Sequence, residues 1–100
     1  LRENDLAGRY GGDEFCVILP QMSLNEAAKV MEHMRETFSR YQNPLIPELR
    51  VSLSIGLADF QPLFTDAAMW LNAADRALYT AKDTGRNRVN VSNYLIAHSA

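Results

Sequence analysis

The sequence predicts a layered α/β domain of the α+β kind, with helices flanking a central sheet that contains antiparallel strands. Three observations predict it. Two short β-prone runs close around a glycine pair, two longer stretches repeat apolar residues at helical spacing, and a third strand-like run lies between those stretches.

Leu6 to Tyr10 and Phe15 to Leu19 flank Gly11-Gly12-Asp13-Glu14, a pattern that reads as a β-hairpin with a tight polar tip. The second run is almost wholly apolar, so it is expected to be a central strand covered on both faces, ended by Pro20. Ser23 with Glu26 gives a capping-box pattern. It opens a helix whose Ala27, Val30, Met31, Met34, Phe38 and Tyr41 share a face, and Asn43 and Pro44 stop it.

From Val51 to Leu57, Val51, Leu53, Ile55 and Leu57 fall on one face of a strand, and Ser52, Ser54 and Gly56 on the other. A face that small admits a closely packed helix or leaves room for a ligand, and close packing is the preferred reading. Thr65 or Asp66 can cap a second helix carrying Ala67, Leu71, Ala74, Ala77, Leu78 and Ala81 at helical spacing, with Gly85 suited to its C-terminal cap. Arg88 to Val91 fits an edge strand, residues 92–100 form a tail without assignment, and no internal repeat is visible.

The composition is that of a globular domain, 47% hydrophobic and 22% charged, and the net charge of −2 gives no general attraction to nucleic acid or anionic membrane. No apolar stretch approaches the roughly 18 residues that cross a bilayer, so this segment is expected to be soluble and cytoplasmic. Cys16 is the only cysteine, which excludes an internal disulfide and fits a buried, inert thiol. The chain runs from Leu1 straight into Arg2-Glu3-Asn4-Asp5, so it reads as part of a longer protein that can be membrane-tethered through another domain. His33 and His98 have no metal-ligand neighbours and read as surface residues, while packing accounts for Trp70 and Tyr79.

Adjacent glycines allow positive φ and let a bulky ligand approach the backbone, and Asp13 and Glu14 add two carboxylates at the same tip. An isolated Gly-Gly-Asp-Glu is ordinarily a solvated turn. Here the whole string Arg9-Tyr10-Gly11-Gly12-Asp13-Glu14-Phe15 lies between two strands and resembles, without substitution, the hairpin of the diguanylate cyclase (GGDEF domain) family. Independently, Ala74-Asp75-Arg76-Ala77-Leu78-Tyr79-Thr80-Ala81-Lys82 and Gly85-Arg86-Asn87 resemble that family's last helix and following turn.

The resemblance implies a nucleotide-cyclase, palm-like fold with the N-terminal part of the domain absent, covering residues 1–100 as a partial domain and strongest over 2–91. It implies that the parent condenses two GTP into cyclic di-GMP by Mg²⁺-dependent nucleotidyl transfer, working as a homodimer. Asp13 would be a metal ligand, and Glu14 a metal ligand or the group that activates the attacking hydroxyl. Gly11 and Gly12 would lie against the phosphates, and Lys82 and Arg86 would hold them. The metal has a physical reason: a carboxylate about 5 Å from a phosphate oxygen is repelled by about 3 kcal/mol per charge pair at an effective dielectric of about 20. Mg²⁺ reverses that sign and favours carboxylate and phosphate oxygens.

Each assignment has a structural alternative. Lys82 and Arg86 also suit the negative end of a helix, and Asp75 fits a partner for a nearby cation or backbone group. Arg2 and Asp5 stand where many family members carry an RxxD site that binds the product as an inhibitor, or they form a surface ion pair. The family often adds a second arginine from the helix after the hairpin; His33 occupies that register, with Arg35 nearby, which weakens the expected inhibition. A non-catalytic cyclic di-GMP or GTP sensor, or a dimerisation module of the same fold, is the alternative to an enzyme. Because the family's upstream metal-ligating aspartate and guanine contacts precede the hairpin, residues 1–100 alone are expected to be inactive and to associate or swap strands through exposed apolar edges. Incubation with GTP and Mg²⁺ should yield no cyclic di-GMP by mass spectrometry; clear product formation contradicts the expectation.

Overall fold

A computed structural model describes residues 6–9 and 15–92, with side-chain surroundings from residue 17 to residue 92. Its elements are β1 (Leu6–Arg9), β2 (Phe15–Ile18), α1 (Leu24–Ser39), β3 (Ser54–Leu57), α2 (Ala67–Asp83) and β4 (Arg88–Val91). The expected order of elements is therefore present, although β3 starts at Ser54 rather than at Val51, since its one strand partner among the described residues, β4, pairs only from Ser54 onward.

The sheet differs from expectation. Among the described residues there are two two-stranded sheets rather than one central sheet. β1 and β2 pair antiparallel, with Leu6 opposite Ile18 and Arg9 opposite Phe15. β3 and β4 pair parallel, with Ser54 opposite Arg88 and Leu57 opposite Val91. The parallel direction follows from connectivity: α2 carries the chain back along β3, so β4 must start at the same end, as in any βαβ crossover. β2 is correspondingly not a covered central strand. Val17 and Ile18 are 37% and 38% exposed, since β2 has β1 as its one strand partner and no helix packs broadly over it among the described residues.

The Ser23 cap of α1 forms as the sequence predicts: its hydroxyl accepts from the Glu26 amide at 3.1 Å and donates to Glu26 Oε1 at 2.9 Å. Only Ala27 and Met31 of the expected apolar face are buried. Their four-residue spacing aims them at β3 and β4, whereas Val30, Met34 and Phe38 form a neighbouring stripe that stays exposed; Tyr41 is exposed too but lies past the helix, which stops at Ser39 with Arg40 as its cap rather than running to Asn43 and Pro44. That stripe borders an open groove of about 510 Å³ lined by His33, Met34, Thr37, Phe38, Tyr41 and Val51.

Helix α2 starts at Asp66, whose carboxylate accepts from the Met69 amide at 3.0 Å, while the Thr65 hydroxyl turns to Met69 Sδ. Trp70 donates its indole N–H to Ala58 O at 3.0 Å and meets Phe60 edge-on at 5.5 Å between centroids. Tyr79, in contrast, is 70% exposed, so packing does not account for it.

Small residues line the contact between α2 and β3, and Met31 and Phe64 are the larger buried side chains among the described residues. Ala73, Ala77 and Ala81 are buried along α2, and Gly56 of β3 lies against the helix backbone. A Cβ at Gly56 would overlap the Ala74 carbonyl oxygen and the Leu78 amide and sit 2.7 Å from Leu78 Cα. The small face of β3 is thus a helix seat rather than a ligand cavity. Asn90 reinforces it by donating its side-chain amide to Ala77 O at 3.1 Å. Gly56→Ala should destabilise the chain by about 1–3 kcal/mol through overpacking, seen as a lower urea midpoint, while Ala67→Ser on the exposed start of α2 should move it by less than about 0.5 kcal/mol. Equal midpoints for the two variants would contradict the seating.

Candidate functional site

Arg2, Asp5, Gly11, Gly12, Asp13 and Glu14 lie outside the described residues, as do His98 and the surroundings of the Cys16 side chain. What is described is the frame of the hairpin. Arg9 and Phe15 are opposite each other on paired strands, so the chain leaves for residue 10 and returns from residue 14 at one rung of the β1–β2 ladder. Ladder hydrogen bonding therefore fixes both ends of the segment that carries the two glycines and two acids.

Lys82 and Arg86 are described and lie at the C-terminal end of α2. Lys82 is half-buried in the last turn of α2. The last helical bond runs from Thr84 N to Thr80 O at 3.0 Å, and beyond it the helix closes with the 6→1 bond of a Schellman arrangement, Arg86 N donating to Ala81 O at 2.9 Å. Gly85 has φ 129°, a conformation for which its missing Cβ is needed. Arg86 and Asn87 then follow at φ 62° and 48°. A left-handed conformation costs a non-glycine residue about 1–2 kcal/mol, less for asparagine, so this turn persists because its surroundings hold it. The Arg86 side chain is exposed and makes no ion pair among the described residues, and Arg88 donates from Nε to Arg86 O at 3.0 Å. Lys82 in the last turn of α2, the exposed Arg86 and Arg88 at the start of β4 therefore follow one another closely along the chain where α2 ends. Asp75 is exposed and makes no ion pair among the described residues, so the expected structural pairing is not seen.

The turn is tied to α1 by Arg35, whose role was not legible in the sequence. Its side chain is only 16% exposed. Nε donates to both oxygens of Glu32 at 3.0 Å, Nη2 also reaches Oε1, and Nη1 donates to Asn87 Oδ1 at 2.8 Å. Asn87 N in turn donates to Ser54 Oγ on β3 at 3.1 Å. The hydrogen bond from Arg35 holds the Glu32 carboxyl below its ordinary range, aided by Coulomb attraction and opposed by desolvation. The Glu32 pairing is visible as a helical i, i+3 spacing. The Asn87 contact spans 52 positions and has no local signal. Arg35 is thereby committed to the α2 turn, while His33 faces the open groove with its side exposed. No group of three or more histidine, cysteine, aspartate or glutamate side chains able to hold a metal occurs among the described residues.

The diguanylate cyclase GGDEF-domain family model matches residues 1–88. The chain is 38% identical over 92 residues to a probable diguanylate cyclase, DgcC of Escherichia coli K12, covering 92% of this chain and 25% of the relative. It is 38% identical over 93 residues to the diguanylate cyclase DosC of the same organism, covering 91% of this chain and 20% of DosC. This chain therefore spans a quarter or less of these curated relatives. Among solved structures, the GGDEF domain of DgcB from Caulobacter crescentus in complex with c-di-GMP superposes with a TM-score of 0.80 at 31% identity, covering 90% of this chain and 54% of that one. The diguanylate cyclase SiaD of Pseudomonas aeruginosa, in complex with its activator SiaC, gives 0.80 at 35% identity over 92% of this chain and 35% of SiaD.

Proposed function

Because this chain belongs to the GGDEF-domain diguanylate cyclase family, we propose that the protein carrying it condenses two GTP molecules into cyclic di-GMP. The observation that carries the proposal is the unbroken Gly11-Gly12-Asp13-Glu14-Phe15 string, delivered and received by one rung of the β1–β2 ladder. The cyclic di-GMP bound to the DgcB domain supports the ligand class.

Gly11 and Gly12 let the GTP phosphates approach the backbone without meeting a Cβ. Lys82 and Arg86, from the end of α2, hold phosphate oxygens by charge-assisted hydrogen bonds. The donors at the hairpin tip are adjacent carboxylates without sulfur or imidazole, a set that fits a hard cation, so Asp13 and Glu14 would hold Mg²⁺. When bound, the ion neutralises the phosphate charge that these acids otherwise repel. Glu14 also accepts the proton of the 3′-hydroxyl as its oxygen bonds to the α-phosphorus of the other GTP and the bond to pyrophosphate breaks. A second transfer with the two nucleotides' roles exchanged, the remaining 3′-hydroxyl bonding to the other α-phosphorus as a second pyrophosphate leaves, closes the ring, so a two-fold homodimer with one GTP per half-site matches the symmetry of the product.

Arg2 and Asp5 bind the product as an inhibitor, with His33 a weaker substitute for a second arginine. The proposed setting is cytoplasmic; among the described residues no helix is long and apolar enough to cross a membrane. In the full-length protein, Asp13→Ala and Glu14→Ala should each lower cyclic di-GMP formation by about 100-fold or more, and chelation of divalent metal should abolish it. Retained turnover in both variants would refute the catalytic assignment, whereas a protein that never forms product but binds cyclic di-GMP would be a sensor. Arg2→Ala should relieve product inhibition while leaving initial rates near wild type.

A further inference from the structure

The Gly85-Arg86-Asn87 turn needs an explanation beyond helix termination. One left-handed residue suffices to end a helix, yet three consecutive residues here have positive φ, and two of them are not glycine. Such conformations survive where surrounding contacts over-determine them, and they collect at ligand sites. The contacts responsible are visible. Arg86 N is held by Ala81 O, Asn87 N by Ser54 Oγ, and Asn87 Oδ1 by Arg35 Nη1. Arg35 is itself immobilised by the two-oxygen grip of Glu32 on the preceding turn of α1. The turn is therefore clamped from β3 and from α1 at once, and the residue between the clamped Asn87 and Gly85 is the exposed Arg86.

We infer that Arg35 is a positioning residue, which through Asn87 fixes the backbone turn that presents Arg86 to the phosphates of a guanine nucleotide. The inference rests on the phosphate-binding role proposed for Arg86. Arg35 acts on the turn rather than on the nucleotide: each of its three nitrogens donates to Glu32 or Asn87, and only 16% of its side chain is exposed. Glu32 supplies the counter-charge that lets a guanidinium sit at the α1–turn junction, so the same pair sets both the location and the rotamer of the clamp. Without it, Asn87 keeps one tether, to Ser54, and the Arg86 side chain samples directions other than the one the clamped turn gives it.

The test uses the full-length protein, with KM for GTP and equilibrium binding of 3′-deoxy-GTP, which lacks the attacking hydroxyl. Arg35→Gln should weaken 3′-deoxy-GTP binding and raise KM by about 5- to 10-fold, with kcat changed less, and Arg35→Lys should recover part of the loss. Asn87→Gly removes the acceptor while favouring the left-handed backbone, so it should keep the melting temperature near wild type and still weaken binding; it carries the test if Arg35→Gln fails to fold. In an Arg86→Ala background, Arg35→Gln should add less than about 2-fold, because both act through one contact. If Arg86→Ala alone leaves binding unchanged, the phosphate-binding reading fails. If Arg86→Ala weakens binding but Arg35→Gln and Asn87→Gly do not, or if the double variant shows the full product of the single effects, the positioning role alone is overturned.

Discussion

Gly56 brings β3 into direct contact with the backbone of α2, and the placement of α2, of β4 and of the turn between them depends on that approach. No side chain separates strand from helix at this point, and the buried Ala73, Ala77 and Ala81 keep the interface equally thin along the helix. A thin interface has little tolerance: helix and strand can interdigitate in only one register, because a one-residue shift would drive a Cβ into a carbonyl. The register in turn brings the end of α2 beside the start of β3, which is why Ser54 can receive Asn87 and why β4 begins opposite it.

This coupling explains how a site can be built from distant parts of the chain. The C-terminal end of α2 carries Lys82 and Arg86 by virtue of helical spacing and a glycine-dependent stop. Their placement relative to the rest of the domain is a property of the seat at Gly56 and of the Arg35 clamp. The hairpin frame follows a different logic, since β1 and β2 determine the ends of residues 10–14 through local pairing alone. One half of the proposed site is held by short-range hydrogen bonds, and the other by packing between elements remote in sequence.

The apolar surfaces divide in a comparable way. Met31 and Ala27 share the α1 face that meets β3 and β4, yet Val30, Met34 and Phe38 satisfy the same periodicity and stay exposed. Helical periodicity identifies a stripe wide enough for two neighbours, and which part is covered depends on what lies against it. The same reasoning applies to β2, whose apolar composition pointed to burial on both faces while Val17 and Ile18 remain more than a third exposed. Tyr79 is a third case, an aromatic at helical spacing that faces outward.

By itself the sequence determined the order of the described elements, the Ser23 cap, a second cap at Thr65 or Asp66, the glycine-dependent end of α2 and the hairpin string that identifies the family. These are local properties, carried by side-chain periodicity, capping chemistry and backbone preference within a few residues. Only the tertiary structure decided that β4 runs parallel to β3, that the small face of β3 is filled by a helix, and that Arg35 reaches Asn87. Those outcomes depend on distances between elements, and such distances are set by how closely whole surfaces fit, which no window of sequence contains.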